Sequence, residues 1–76
     1  MTVNLMRLKG ERVAKGLSQQ DVAEKMGWKR SSYAKRENGL TDIGANELIK
    51  IAEILGYGPN DLHIFFTDNV PERKHP

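Results

Sequence analysis

Apolar residues recur along this chain at helical intervals, and no stretch alternates in the manner of a strand. Leu5, Leu8 and Val13, with Met6 nearby, predict a first amphipathic helix that stops near Lys15-Gly16. Ser18 then fits an N-cap, with Asp21 at the third helical position. Val22, Ala23 and Met26 form the apolar stripe of a short second helix, which Gly27 ends. A third segment runs from about Arg30 to Glu37 and closes at Asn38-Gly39. Asp42 or Gly44 can cap a fourth, whose Leu48, Ile51, Ala52 and Leu55 keep an i, i+3, i+4, i+7 spacing. Gly56-Tyr57-Gly58 interrupts that pattern, and Pro59 suits the first turn of a last short helix through Leu62 to Phe66. The pattern predicts an all-α, compact bundle of about five short helices over residues 1–66, followed by a flexible polar tail over 67–76.

Composition narrows the possible functions. With 76 residues there is room for one small domain and a modest core, not for separate substrate and cofactor domains. Cysteine is absent, which excludes disulfide staples and cysteine-ligated zinc or iron–sulfur centres, and implies a reducing, cytoplasmic setting. His63 and His75 are too isolated to form a metal site, so neither a metal nor a cofactor is expected. No Ser/His/Asp set, paired-carboxylate pocket or phosphate-cradling glycine loop is present, which argues against an enzyme. No apolar run approaches the ~20 residues that cross a bilayer, and no membrane association is expected.

The net charge of +2 conceals a marked asymmetry. Up to Leu40 there are nine basic and four acidic residues; from Thr41 onward there are three basic and six acidic. One half is thus suited to a polyanion and the other is not. The basic residues Lys29, Arg30, Lys35 and Arg36 fall within the third helix. The window Gln19 to Arg36 joins two short helices at Gly27, with Ala23 four residues earlier. A small residue permits a close helix crossing, and a glycine permits a sharp reversal at positive φ. The pair forms a helix-turn-helix whose second helix can enter a major groove.

These residues resemble a known family. Leu17-Ser18-Gln19-Gln20-Asp21-Val22-Ala23-Glu24-Lys25-Met26-Gly27 and Glu37-Asn38-Gly39 are similar to the phage-repressor/Cro-like helix-turn-helix family of bacterial and phage transcription regulators. Arg12 and Gly16 before that block, and Leu48 to Ala52 with Leu55-Gly56 after it, match as well. The resemblance runs from about Leu5 to Leu62 and implies a lambda-repressor-like DNA-binding domain that occupies operator DNA as a symmetric dimer. It places Lys29, Arg30 and Ser31 at the start of the recognition helix, with Ala34 and Lys35 one turn further, where family members reach base edges. Gln19, Ser32, Asn38 and Lys9 match phosphate-contacting positions, Gln19 also bracing the recognition helix. Arg12 and Glu37 match a salt bridge between the first and third helices.

Side-chain chemistry supports these roles. The fork of Arg30 suits guanine O6 and N7, whereas Lys29 and Lys35 are point charges that also suit phosphates. Ser31 can donate or accept, and Ala34 can lie against a thymine methyl. Trp28 and Tyr33 could stack on bases, but they occupy packing positions of the motif. The chain also departs from the family. Lys29 stands where a Ser or Thr cap is usual and cannot accept a hydrogen bond. Arg36 replaces an apolar core residue, so it must snorkel past Trp28 or Tyr33 or reach phosphate. Leu40-Thr41-Asp42-Ile43 replaces a loop in which relatives often carry basic residues. Ile64, Phe65 and Phe66, beside Tyr57, are too many adjacent apolar groups for one core, and they are expected to supply a homodimer contact, unless the tail folds back so that Val70 covers them.

The expected function is therefore a phage- or mobile-element-associated repressor-type regulator binding double-stranded operator DNA, controlled by concentration, dimerisation or a second regulatory protein, and not by a small-molecule ligand. The alternative is a protein-binding antirepressor or antitoxin-like module of the same fold, which the acidic loop and the apolar cluster favour.

Overall fold

The computed structural model describes residues 2–67. In chain order these form β1 (Thr2–Val3), α1 (Leu5–Ala14), α2 (Gln19–Met26), α3 (Arg30–Glu37), α4 (Ala45–Ile54), a 3-10 helix (Pro59–Phe65) and β2 (Phe66–Thr67). The fold is an all-α helix-turn-helix bundle, with one short strand pairing that joins its two ends.

Local chemistry sets each boundary. Asn4 caps α1 by accepting from the Arg7 N–H at 3.0 Å. Ser18 and Asp21 form a reciprocal capping box at the start of α2: the Asp21 N–H donates to Ser18 Oγ at 3.0 Å, and the Ser18 N–H to Asp21 Oδ2 at 2.8 Å. Gly27 ends α2 at φ 78°, ψ 25°, a left-handed conformation that costs a residue with a Cβ about 1–2 kcal/mol. That conformation lets the Trp28 N–H return to the Ala23 carbonyl at 2.8 Å and sends the chain directly into α3. Of the two cap candidates for α4, Gly44 holds the position, and its N–H donates to Glu47 Oε1 at 3.0 Å.

The core is drawn from every helix: Leu8 of α1, Val22 and Ala23 of α2, Tyr33 of α3, Leu48, Ile51 and Ala52 of α4, then Leu55 and Phe65. Ala23 is fully buried, as its place at the α2–α3 crossing requires. Leu5 packs against the end of α3, where a Cβ on Gly39 would lie 3.3 Å from its Cδ1.

Three expectations are corrected. Val13 does not join the core of α1; it is 58% exposed and Met6 86%, while Arg12 is buried. The inward face of α1 runs through Leu8 and Arg12, one turn apart, and a hydrophobicity pattern cannot see a charge neutralised from another helix. The expected last short helix is present and winds as 3-10. Thr67 belongs to β2, not to a tail, pairing antiparallel with Thr2, while Phe66 pairs with Val3. Two-residue strands are too short to show alternation in sequence. Finally, Phe65 is fully buried, in edge-to-face contact with Tyr57 at 5.6 Å, so it offers no surface to a second chain. The remainder of the expected tail, with Val70 and His75, lies outside the described residues.

Candidate nucleic-acid interface

α3 presents two chemically distinct sides. Tyr33 and Glu37, four residues apart, point into the domain and are buried. Ser31, Lys35 and Asn38 follow an i, i+4, i+7 path on the opposite side and are exposed, as are Lys29 and Arg30 at its first turn. Ser32 and Ala34 form the half-buried shoulders between the two sides. Of the positions on and beside α3 expected to contact DNA, five are thus exposed and two, Ser32 and Ala34, are half-buried. Lys9 is also exposed, on α1.

Lys29 is the N-cap residue of α3, with extended backbone and no side-chain cap bond. The helix start is not shifted by the missing Ser or Thr; it simply lacks a side-chain acceptor there. Lys35 and Arg36 lie in the last turn, where positive charge favours the helix dipole.

A buried polar cluster fixes α3 to α1 and α2. Arg12 Nε and Nη2 donate to Glu37 Oε2 and Oε1 at 2.8 and 3.1 Å, a bidentate ion pair. Arg12 Nη1 also donates to the Leu17 carbonyl at 2.7 Å. Tyr33 Oη donates to Glu37 Oε2 at 2.7 Å, and Gln19 Nε2 donates to Oε1 at 3.0 Å. Burial alone would raise the Glu37 carboxyl, but the hydrogen bonds from Arg12, Gln19 and Tyr33 overcome it and hold the group below its ordinary range. Burial and the adjacent carboxylate push the Tyr33 phenol up, so it remains a donor. Gln19 reaches outward as well, its Oε1 accepting from Arg30 Nη1 at 2.9 Å. Gln19 thus braces α3 and retains one amide N–H for other contacts.

Arg36 takes the inward of its two anticipated courses. Its guanidinium lies 4.1 Å from the centroid of Trp28, and Nη1 donates to the Ser32 carbonyl at 2.9 Å. Nε and Nη2 donate to Glu47 at 3.1 and 3.4 Å. The Gly44 N–H and Arg36 hold the Glu47 carboxyl below its ordinary range. Arg36 is therefore a strut between α3, Trp28 and the start of α4, and Trp28 and Tyr33 both serve packing.

No sequence pattern marks Glu47 as the partner of Arg36, because a loop separates them and no period links their positions. The Tyr33–Glu37 bond was accessible from their i, i+4 spacing. The loop after α3 leaves Leu40 78% exposed, with Asp42 exposed beside it. Of the apolar cluster near the chain end, Ile64 and Phe66 are half-buried against the core. Tyr57 is half-buried too, its hydroxyl donating to Glu11 and its ring lying 5.1 Å from the Lys15 ammonium.

Among the described residues no group of three or more His, Asp or Glu side chains is placed to hold a metal ion. No described helix is long and apolar enough to cross a membrane.

Comparison with known families agrees with this geometry. The sequence model of the helix-turn-helix family matches residues 8–62, from the buried Leu8 of α1 into the 3-10 helix. No curated protein and no solved structure gave a significant match. The match covers most of the chain, and the chain belongs to the Cro/C1-like helix-turn-helix family of DNA-binding transcriptional regulators.

Proposed function

We propose that this protein is a sequence-specific regulator that occupies operator DNA, with α3 in the major groove. The observation that carries the reading is the exposed side of α3. Lys29, Arg30, Ser31 and Lys35 are exposed there, with Ala34 at its shoulder, on a helix braced by a buried ion pair. Arg30 reads guanine through paired donors, Ser31 and Ala34 contact neighbouring base edges, and Lys29 and Lys35 reach base edges or phosphate. Lys9, Ser32, Asn38 and the second amide N–H of Gln19 contact the backbone. Repression by occupancy in the cytoplasm of a phage- or mobile-element-bearing host follows as the biological role. A homodimer formed through Ile64, Phe66 and the edge of Tyr57 would place two recognition helices about one DNA turn, ~34 Å, apart on a palindrome.

Selection of bound duplexes from a random pool tests this directly. A defined, two-fold symmetric motif is expected, with affinity falling steeply as salt rises. Arg30→Ala should relax preference at one base pair, at a cost of about 1–3 kcal/mol of discrimination, whereas Lys9→Ala should weaken all duplexes alike. A chain that enriches no motif refutes operator binding. The exposed Leu40 beside Asp42, next to the recognition helix, favours a second reading as a protein-docking antirepressor or antitoxin-like module. An empty DNA selection together with a stable complex with another regulator would establish that reading instead.

A further inference from the structure

We propose that Glu37, which faces away from the groove, is a positioning residue for sequence discrimination, acting through Gln19 to hold Arg30 in one orientation toward the DNA. The inference rests on the reading of α3 as the base-reading helix. A carboxylate offers about four acceptor sites. Arg12 fills two and Tyr33 a third, which leaves one site on Oε1, and Gln19 Nε2 takes it at 3.0 Å. An ionised carboxylate accepts and never donates, so only the amide nitrogen of Gln19 can face it. The amide oxygen must then point outward, where it accepts from Arg30 Nη1 at 2.9 Å. Reversing the amide would set oxygen against the carboxylate and nitrogen against the guanidinium. The buried charge thus dictates the polarity of the surface contact.

The consequence concerns Arg30. With one Nη1 N–H tethered, the guanidinium is held in place while the two-donor edge of Nε with Nη2, the edge that Arg12 uses against Glu37, stays free. Guanine presents two acceptors, O6 and N7, that match such a fork. A free arginine samples many rotamers, so the tether narrows its approach before DNA arrives.

The test uses the full chain, the duplex it selects, and that duplex with each guanine pair replaced in turn. Wild type should discriminate at the Arg30-read pair by roughly 10- to 100-fold. Gln19→Met, which spares the Arg12–Glu37–Tyr33 contacts, and Glu37→Gln should each lower that ratio at least fivefold. Ratios at other positions should stay unchanged. Using the ratio cancels any uniform loss from a missing phosphate contact or from partial unfolding. An NMR measurement without DNA supplies the second readout: rotation of the Arg30 guanidinium should be restricted in wild type and released in both variants. A retained ratio in Gln19→Met, or a freely rotating Arg30 in wild type, overturns the proposal. A ratio lost in Gln19→Met but kept in a folded Glu37→Gln removes Glu37 from it. Should Glu37→Gln fail to fold, Arg12→Met/Glu37→Leu, which buries no ion and removes the same acceptor, takes its place with the same expected loss of ratio, and a retained ratio there removes Glu37 from the proposal. A wild type that selects no duplex instead overturns the underlying DNA reading, and the NMR arm still judges the tether.

Discussion

Replacing Glu37 by glutamine probes the centre of the domain with almost no change in volume, so the effect is one of charge and hydrogen bonding. Arg12, 7% exposed, would keep its charge and lose its counter-ion. Breaking one side of a buried pair costs about 3–5 kcal/mol, because the remaining ion stays desolvated. For the 66 described residues, a stability of 0.05–0.15 kcal/mol per residue gives about 3–10 kcal/mol in total. The single substitution should therefore remove most of the stability of the fold. Urea unfolding followed by far-UV circular dichroism measures this. With a slope near 1 kcal/mol per molar for so small a domain, a loss of ~3 kcal/mol moves the midpoint by about 3 M. Arg7→Ala is the control, since Arg7 pairs with Glu11 at 2.8 Å but its side chain is 48% exposed, and its loss should cost no more than ~1 kcal/mol. The double variant Arg12→Met/Glu37→Leu should recover much of the stability, because neither ion is then buried. What remains is the cost of the Leu17 carbonyl, Tyr33 hydroxyl and Gln19 amide left unpaired, at roughly 1 kcal/mol each. A Glu37→Gln loss as small as that of Arg7→Ala, or a double variant whose loss equals the sum of the singles, would refute the reasoning.

Other outcomes follow from the same geometry. Gly27→Ala should cost about 1–2 kcal/mol from backbone conformation alone, since nothing lies within 4 Å of the added Cβ; a much larger shift in the urea midpoint would reveal a hidden clash. Ser18→Ala should cost ~1 kcal/mol by removing the acceptor for Asp21 N–H, and an unchanged midpoint would show that the capping box contributes nothing. Acid should destabilise the fold. Glu37, Glu47 and Glu11 are lowered from an ordinary 4.5 and Asp21 from 3.8, so their contributions are present above those values and lost as pH falls through the lower folded ones. The urea midpoint should hold steady near neutrality and decline below about pH 4.5; a rise on acidification would contradict the assigned hydrogen bonds.

Much of this architecture was legible because its determinants are local. Ser18 with Asp21 three residues on, Gly27 after Met26, and Asn38-Gly39 after Glu37 each mark a boundary through the chemistry of adjacent residues. The α4 stripe needed only a period of 3.6. Val13 is apolar yet exposed, because Glu37, 25 residues beyond Arg12, lets Arg12 turn inward in its place. Ile64, Phe65 and Phe66 could be recognised as too many for one core, but which of them was buried depended on how the 3-10 helix meets α1 and β1.

The helix boundaries, the helix-turn-helix and the basic character of the third helix are encoded locally, since propensity, capping and turn chemistry act over a few residues. The destinations of the long charged side chains are set by packing between helices. Arg12 meets Glu37 across 25 residues, Arg36 meets Glu47 across 11, and Gln19 joins Glu37 to Arg30. Each contact depends on how helices cross and on the need to neutralise or hydrogen-bond a charge removed from water. That need is written nowhere along the chain, and it arises only once the helices have packed.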